Sequence, residues 1–161
     1  ELFEYRKEKG HSHAKDFLTV GSMGCSSAIG FGMATQIDKP IYIFDGDGAA
    51  LMQMGSLATI RANKPKNLQH IIFDNSSYDS TGGQPTISPS INFEKIALAC
   101  GYNSARTVEA KEELEQALKY LKDEEGPNLL VIKIKKGARK ELGRPTTTPI
   151  ENKNLFMDFL E

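Results

Sequence analysis

The stretch best suited to chemistry is Asp45-Gly46-Asp47-Gly48-Ala49-Ala50, which follows an apolar run and precedes a helical pattern. Two glycines let the backbone turn tightly and come close to a ligand. The helix that follows offers free N–H groups and a positive dipole end to an anion. Asp47 by itself would repel that anion. An acid beside a phosphate site makes sense if a divalent cation sits between them, and Mg2+ is commonly held by one or two carboxylates plus substrate phosphates. A plain Asp-Gly turn after a strand is the alternative for the tripeptide alone. Other glycine motifs do not fit. There is no Gly-Lys-Ser/Thr, a dinucleotide fingerprint needs Gly where Leu51 stands, and a calcium loop starting at Asp45 would want Asp or Asn at Ala49 and Gly at Ala50.

A second piece, Phe73-Asp74-Asn75-Ser76-Ser77-Tyr78, closes the next apolar run, with 26 residues between Gly48 and Asn75. One strand–helix–strand step separates the two loops, so both can open on the same edge of a sheet. An Asn amide oxygen and a loop carbonyl are suitable hard ligands for the same metal. An Asn-Ser turn that satisfies its own backbone is the bland alternative.

Regular elements must hold these loops in place. Residues 1–9 read as a short leading helix, and residues 17–20 as a short β-leaning run ending at Gly21. Small residues dominate 22–34, which suits a helix packed closely against a sheet. Residues 41–44, after Pro40, predict a parallel strand covered on both faces. Residues 52–62 are helical by pattern, 70–73 form the next strand, and 92–99 form a helix stopped by Gly101. Leu114, Ala117, Leu118 and Leu121 make one apolar helical face that Gly126-Pro127 terminates. A β-branched run at 129–134 is the last strand, and 154–160 a closing helix. Strand and helix alternate, and helices are the usual crossovers between parallel strands. The prediction is an α/β, doubly wound, mainly parallel sheet of about five strands with helices on both faces, in a single domain over 1–161. The segment 82–90, with Pro85 and Pro89, is expected as a surface loop near the strand carboxyl ends, where such folds bind ligands.

Composition sets the outer limits. A length of 161 residues fits one domain. Twenty Lys and Arg against 21 Asp and Glu give a net charge of −1, which argues against a nucleic-acid partner. No run approaches the 18 or so apolar residues of a membrane span, so no membrane partner is expected. Two cysteines cannot make a disulfide framework, which points to a reducing, cytoplasmic setting. The chain begins at Glu1 rather than Met and is expected to be a piece of something longer.

Secondary candidates have plainer readings. Six basic residues between Lys133 and Arg144 could raise the local concentration of an anionic substrate, but a solvated strand end and loop is the favoured reading. His11 and His13 lack further ligand spacing. Cys25 sits among small residues and is expected to pack rather than react. Residues 80–84 could line a substrate entrance or simply form a loop.

The combination of Gly-Asp-Gly, an intervening 26 residues and a strand-closing Asn resembles the thiamine diphosphate-dependent decarboxylases. Val20-Gly21-Ser22-Met23-Gly24 is similar to the segment that holds the aminopyrimidine in that family. Leu51-Met52-Gln53-Met54-Gly55, Ser80-Thr81-Gly82-Gly83-Gln84-Pro85-Thr86 and Gly143-Arg144-Pro145-Thr146-Thr147-Thr148-Pro149 resemble the branch that acts on 3-phosphonopyruvate. The resemblance runs over nearly the whole chain and implies the thiamine diphosphate-binding fold.

The resemblance also implies roles. Thiamine diphosphate and Mg2+ are the cofactors. Asp47, the Asn75 side chain and the Ser77 carbonyl are the implied metal ligands. Gly46, Gly48, Ala49 and Ala50 offer backbone to the diphosphate. The Gly21 carbonyl accepts from the 4′-amine, with Ser22 beside it, and Met23 wedges the bent cofactor. Tyr78 is also implied to bind the cofactor. Many relatives carry Ser at the position of Ala49 and a second Asn at that of Asp74, so a hydroxyl contact is missing and Asp74 has no assigned role. The activating Glu belongs to a pyrimidine-binding domain or subunit that these residues do not contain, so the chain alone is expected to be inactive. The implied reaction converts 3-phosphonopyruvate, a 2-oxo acid, to phosphonoacetaldehyde and CO2 in a homo- or hetero-oligomer. A sulfopyruvate-decarboxylating subunit, and a non-catalytic module that binds thiamine diphosphate, are the alternatives.

Overall fold

The apolar runs in the middle of the chain pair into a parallel sheet. The computed structural model describes residues 1–161. Its elements, in chain order, are α1 (Leu2–Glu8), α2 (Ser26–Ala34), β1 (Ile41–Gly46), α3 (Asp47–Met52), α4 (Ser56–Asn63), β2 (Leu68–Asp74), β3 (Ser77–Tyr78), β4 (Gln84–Pro85), α5 (Phe93–Cys100), β5 (Ser104–Val108), α6 (Lys111–Asp123), β6 (Asn128–Lys133) and α7 (Pro149–Leu160). Two units are distinguished: residues 23–136, which hold the sheet, and residues 1–22 with 137–161.

Within 23–136 the sheet order is β1-β2-β6-β5, all parallel. Ile41 stands opposite Leu68, and Gln69 opposite Asn128. Side chains alternate across a strand, so the ladder sorts them into two layers. One face carries Ile41, Ile43, Leu68, Ile72, Leu129 and Val131 against α2, α4 and α5. The other carries Ile71, Leu130 and Val108 against Ala117 and Leu121 of α6. Ile60, Leu68 and Ile72 have no exposed surface; burying each stabilises the fold by roughly 1.5–3 kcal/mol. The doubly wound α/β class is the observed one.

The details differ from the sequence prediction at four places. Residues 17–20 form no strand: no ladder partner is present for them, and an isolated strand leaves its N–H and C=O groups unpaired. A strand does form at β5, whose sequence SARTV carries polar residues because it lies at the sheet edge. The parallel sheet therefore has four strands, and β3 and β4 add a separate antiparallel pair. The expected helix over 52–62 is two helices, because Gln53 leaves helical geometry at φ −130°, ψ 39° before α4 begins. Lastly, β1 is covered on one face only: Tyr42 and Phe44 are 45% and 43% exposed, since α6 packs over the β5–β6 side.

In the other unit, α1 and α7 frame a small cluster. Phe17 meets Phe156 edge to face at 5.5 Å. Asp16 is paired with Arg6 at 2.6 Å and His13 at 3.4 Å, and His13 stacks on Phe3. His13 thus sits against Asp16 and Phe3, while His11 is exposed. Thr148 and Glu151 form a reciprocal capping box that starts α7. No helix of the protein is long and apolar enough to cross a membrane.

Small residues in α2 permit its close seat on the sheet. A Cβ added at Gly30 would lie 2.5 Å from Cγ1 of buried Ile43. Gly30→Ala is expected to cost about 1–3 kcal/mol through overpacking, despite the better helix propensity of Ala. Urea denaturation of the variant, followed by circular dichroism, checks it; an unchanged or raised midpoint would contradict the packing argument.

Candidate functional site

The carboxyl ends of β1 and β2 are neighbours in the sheet, with Gly46 opposite Phe73. The two loops singled out by composition therefore open side by side. Asp47 starts α3 after an extended Gly46, and its side chain is only 1% exposed. Asp47 Oδ2 accepts a hydrogen bond from Thr86 Oγ1 at 2.5 Å. Gly48 is a point of close approach: a Cβ there would stand 2.4 Å from the Tyr78 ring and 3.3 Å from Met23 Cε. Met23, Gly48 and Tyr78 thus meet, as do Asp47 and the 82–90 loop. Ala49 lies against the Met23–Cys25 turn, since a Cβ at Gly24 would come within 2.9 Å of the Ala49 carbonyl. Ala50 points into the core. Gly21, at φ +75°, and Ser22 belong to the other unit.

The second loop is pinned by its own side chains. Asn75 Oδ1 accepts from the Ser77 N–H at 2.9 Å, and its Nδ2 donates to Asp79 at 2.8 Å. Ser76 adopts the left-handed region at φ +57°, which most residues avoid. Its N–H donates to Asp74 Oδ1 at 3.1 Å, and its carbonyl accepts from the Thr86 N–H at 3.2 Å. Ser77 Oγ donates to Asp79 at 2.7 Å. The Asn-Ser turn that the sequence offered as the alternative reading is therefore present. Because the Asn75 oxygen has two lone pairs, its bond to Ser77 leaves one available.

Burial of acid groups separates Asp47 from the rest. Five carboxylates are buried: Glu4, Asp16, Asp45, Asp47 and Asp74. Glu4 pairs with Lys7, Asp16 with Arg6, Asp45 with His70 at 3.0 Å, and Asp74 with Lys133 at 2.6 Å. Asp47 pairs with no basic side chain. A buried ionised carboxylate without a counter-charge is costly, and a divalent cation held by hard oxygens is the chemistry that removes the cost. Asp47 offers a hard carboxylate oxygen, and the adjoining β2 loop carries the Asn75 amide oxygen; oxygens of these types suit Mg2+ rather than a soft metal.

Sequence reasoning passed over several residues of this region. Asp45 accepts from Ser26 Oγ and faces His70, which fastens the start of α2 to β1 and β2. Asp74 accepts from Lys133 and from Ser88 Oγ. Lys133 was visible only as one cation in a basic run. Ser88 and Thr86 are buried although they sit in the expected surface loop; the loop's outer part, 82–85, is exposed.

The comparisons with known proteins bear directly on this geometry. Residues 2–132 match the family model described as thiamine pyrophosphate enzyme, C-terminal TPP binding domain. The chain belongs to this family. The chain is 40% identical over 144 residues to a phosphonopyruvate decarboxylase of Streptomyces viridochromogenes, covering 89% of this chain and 36% of that protein. It is 36% identical over 153 residues to the sulfopyruvate decarboxylase subunit beta of Methanococcus maripaludis, covering 95% of this chain and 82% of that subunit. The chain thus spans about a third of the length of the phosphonopyruvate decarboxylases it matches. A solved thiamin diphosphate-dependent enzyme from Mycobacterium smegmatis superposes with a TM-score of 0.58 at 22% identity, covering 73% of this chain and 23% of that one. That likeness establishes the fold of the thiamine pyrophosphate enzyme domain.

Acid sensitivity follows from Asp74. Burial pulls its carboxyl upward, but hydrogen bonds from Lys133 and Ser88, the Lys133 charge and the Ser76 N–H outweigh it and hold it below the ordinary value. A carboxyl with a lowered folded-state pKa gives stability that is present above the unfolded value, about 3.9, and is lost as pH falls through the folded one. The thermal midpoint of the unaltered protein should therefore exceed that of Asp74→Asn at pH 6. The gap should shrink below about pH 4. Melting curves of both proteins from pH 6 to pH 3 check this, and a gap that widens in acid would reverse the sign.

Proposed function

We propose that this chain is the diphosphate- and magnesium-binding half of a thiamine diphosphate-dependent 2-oxo acid decarboxylase, a carboxy-lyase that converts 3-phosphonopyruvate to phosphonoacetaldehyde and CO2. The observation that carries the reading is Asp47, the one buried carboxylate without a basic partner, at the first residue of α3 just past β1.

In this reading Asp47, the Asn75 amide oxygen and the Ser77 carbonyl hold Mg2+. Gly46, Gly48, Ala49 and Ala50 present backbone to the diphosphate, and Tyr78 and Met23 border Gly48, where a side chain at 48 would collide with them. Met23 supports the cofactor from its apolar side. When bound, the thiazolium ring supplies an electron sink for the carbon that loses CO2. The residues of this chain bind, orient and neutralise charge. The group that activates the cofactor comes from a pyrimidine-binding domain or partner subunit, so the chain by itself has no turnover. The free thiols Cys25 and Cys100 suit a reducing, cytoplasmic setting.

Sulfopyruvate is the second substrate reading, supported by the 82% coverage of a sulfopyruvate decarboxylase subunit beta. Aldehyde release from each 2-oxo acid, measured with the complete enzyme, separates the two.

Asp47→Asn tests the metal assignment. Removing the unpaired charge should raise the thermal midpoint of metal-free protein, equivalent to about 1 kcal/mol or more. The same change should remove the further rise that Mg2+ with thiamine diphosphate gives the unaltered protein. A variant that keeps that rise would exclude Asp47 as the metal ligand.

A further inference from the structure

Asp74 is buried directly beside Asn75. A second ionised carboxylate so near a cation–diphosphate site alters the charge that both ligands meet. The structure shows what answers it. Lys133, from the carboxyl end of β6, donates to Asp74 Oδ2 at 2.6 Å. Asp74 Oδ1 accepts from Ser88 Oγ at 2.5 Å, the Ser88 N–H donates to Thr86 Oγ1 at 3.2 Å, and Thr86 Oγ1 donates to Asp47 Oδ2. An unbroken hydrogen-bond path thus joins Lys133 and Asp74 to Asp47, each step one bond long. Both carboxylates are nearly inaccessible to water, at 1% exposure for Asp47 and 2% for Asp74, so their charges are weakly screened.

Resting on the reading above, we propose that Asp74 and Lys133 form a charge-balancing pair that positions the Asn75 turn and sets the relative affinity of the site for Mg2+ and for diphosphate. Both are positioning residues. Asp74 fixes the turn through the Ser76 N–H and Ser88. Lys133 cancels the added negative charge, so that Asp47 alone sets the charge offered to the cation. Removing Lys133 leaves an extra anion, which attracts Mg2+ and repels diphosphate. Neutralising Asp74 leaves an extra cation, with the reverse effect. Loss of structure alone would weaken both ligands together.

The test uses the complete enzyme, pyrimidine-binding part included, in four forms: unaltered, Lys133→Met, Asp74→Asn and the double variant. Calorimetry gives the Kd of Mg2+ alone and the Kd of thiamine diphosphate at fixed, saturating Mg2+. Lys133→Met should bind Mg2+ more tightly and thiamine diphosphate more weakly, each by about three- to tenfold. Asp74→Asn should shift both constants the opposite way. The double variant should return both to within about threefold of the unaltered enzyme, because it restores the balance of charge. Lys133→Gln, which keeps a donor to Asp74, replaces Lys133→Met if the latter does not fold, and the same directions are expected. Shifts of the same sign for both ligands, no shift, or a double variant no better than the worse single variant would overturn the proposal. An unaltered enzyme that shows no Mg2+-dependent binding of thiamine diphosphate would instead overturn the functional reading.

Discussion

A carboxylate buried without a positive partner is the constraint on which the site depends. Asp47 sits at the end of β1 with almost no water contact, and the only polar side chain bonded to it is the neutral hydroxyl of Thr86. Every other buried acid of the chain has a Lys, Arg or His beside it. The fold can hold Asp47 there because the adjoining structure is fastened by buried hydrogen bonds and ion pairs. Asp45, His70 and Ser26 tie α2 to the sheet on one side. Asp74, Lys133 and Ser88 tie β2, β6 and the 82–90 loop on the other. The paired acids stabilise the frame, and the unpaired one is the residue we propose to hold a cation.

The sheet makes this possible through register. The backbone ladder holds adjacent strands about 4.8 Å apart. Gly46 opposite Phe73 therefore sets where Asp47 and Asn75 emerge. Ser76 accepts a left-handed backbone, and the bonds from Asp74, Asp79 and Thr86 to that turn oppose its relaxation. The aromatic cover of Gly48 by Tyr78 and the nearby Met23 belong to the same arrangement.

Sequence made the centre of the fold legible because apolar runs and small-residue patterns are local. β1, β2, β6, α5 and α6 all lie where periodicity and stop signals put them. What sequence missed is non-local. β5 carries Ser, Arg and Thr and has no apolar run to announce it; its pairing with β6 makes it a strand. Residues 17–20 have strand-like composition but no neighbour to pair with. Phe44 reads as a core residue, yet one face of β1 lies beyond the reach of α6. At the site, Asp47 and Asn75 stood out by type and spacing. Thr86, Ser88 and Lys133 did not, because hydroxyls in a loop and a lysine in a basic run look the same whether solvated or buried. Only the tertiary structure shows that they converge on two acids.

The neighbouring placement of two loops that are distant in sequence has a thermodynamic consequence. With 27 residues between Asp47 and Asn75, an unfolded chain brings these two proposed ligand groups together only rarely and at an entropic cost. A cation gripping both would therefore distinguish the completed β1–β2 pair from every partly folded state. Its binding free energy would appear almost undiminished as resistance to unfolding. The metal would act as a proofreader of strand pairing, holding most firmly those molecules whose sheet had closed in register.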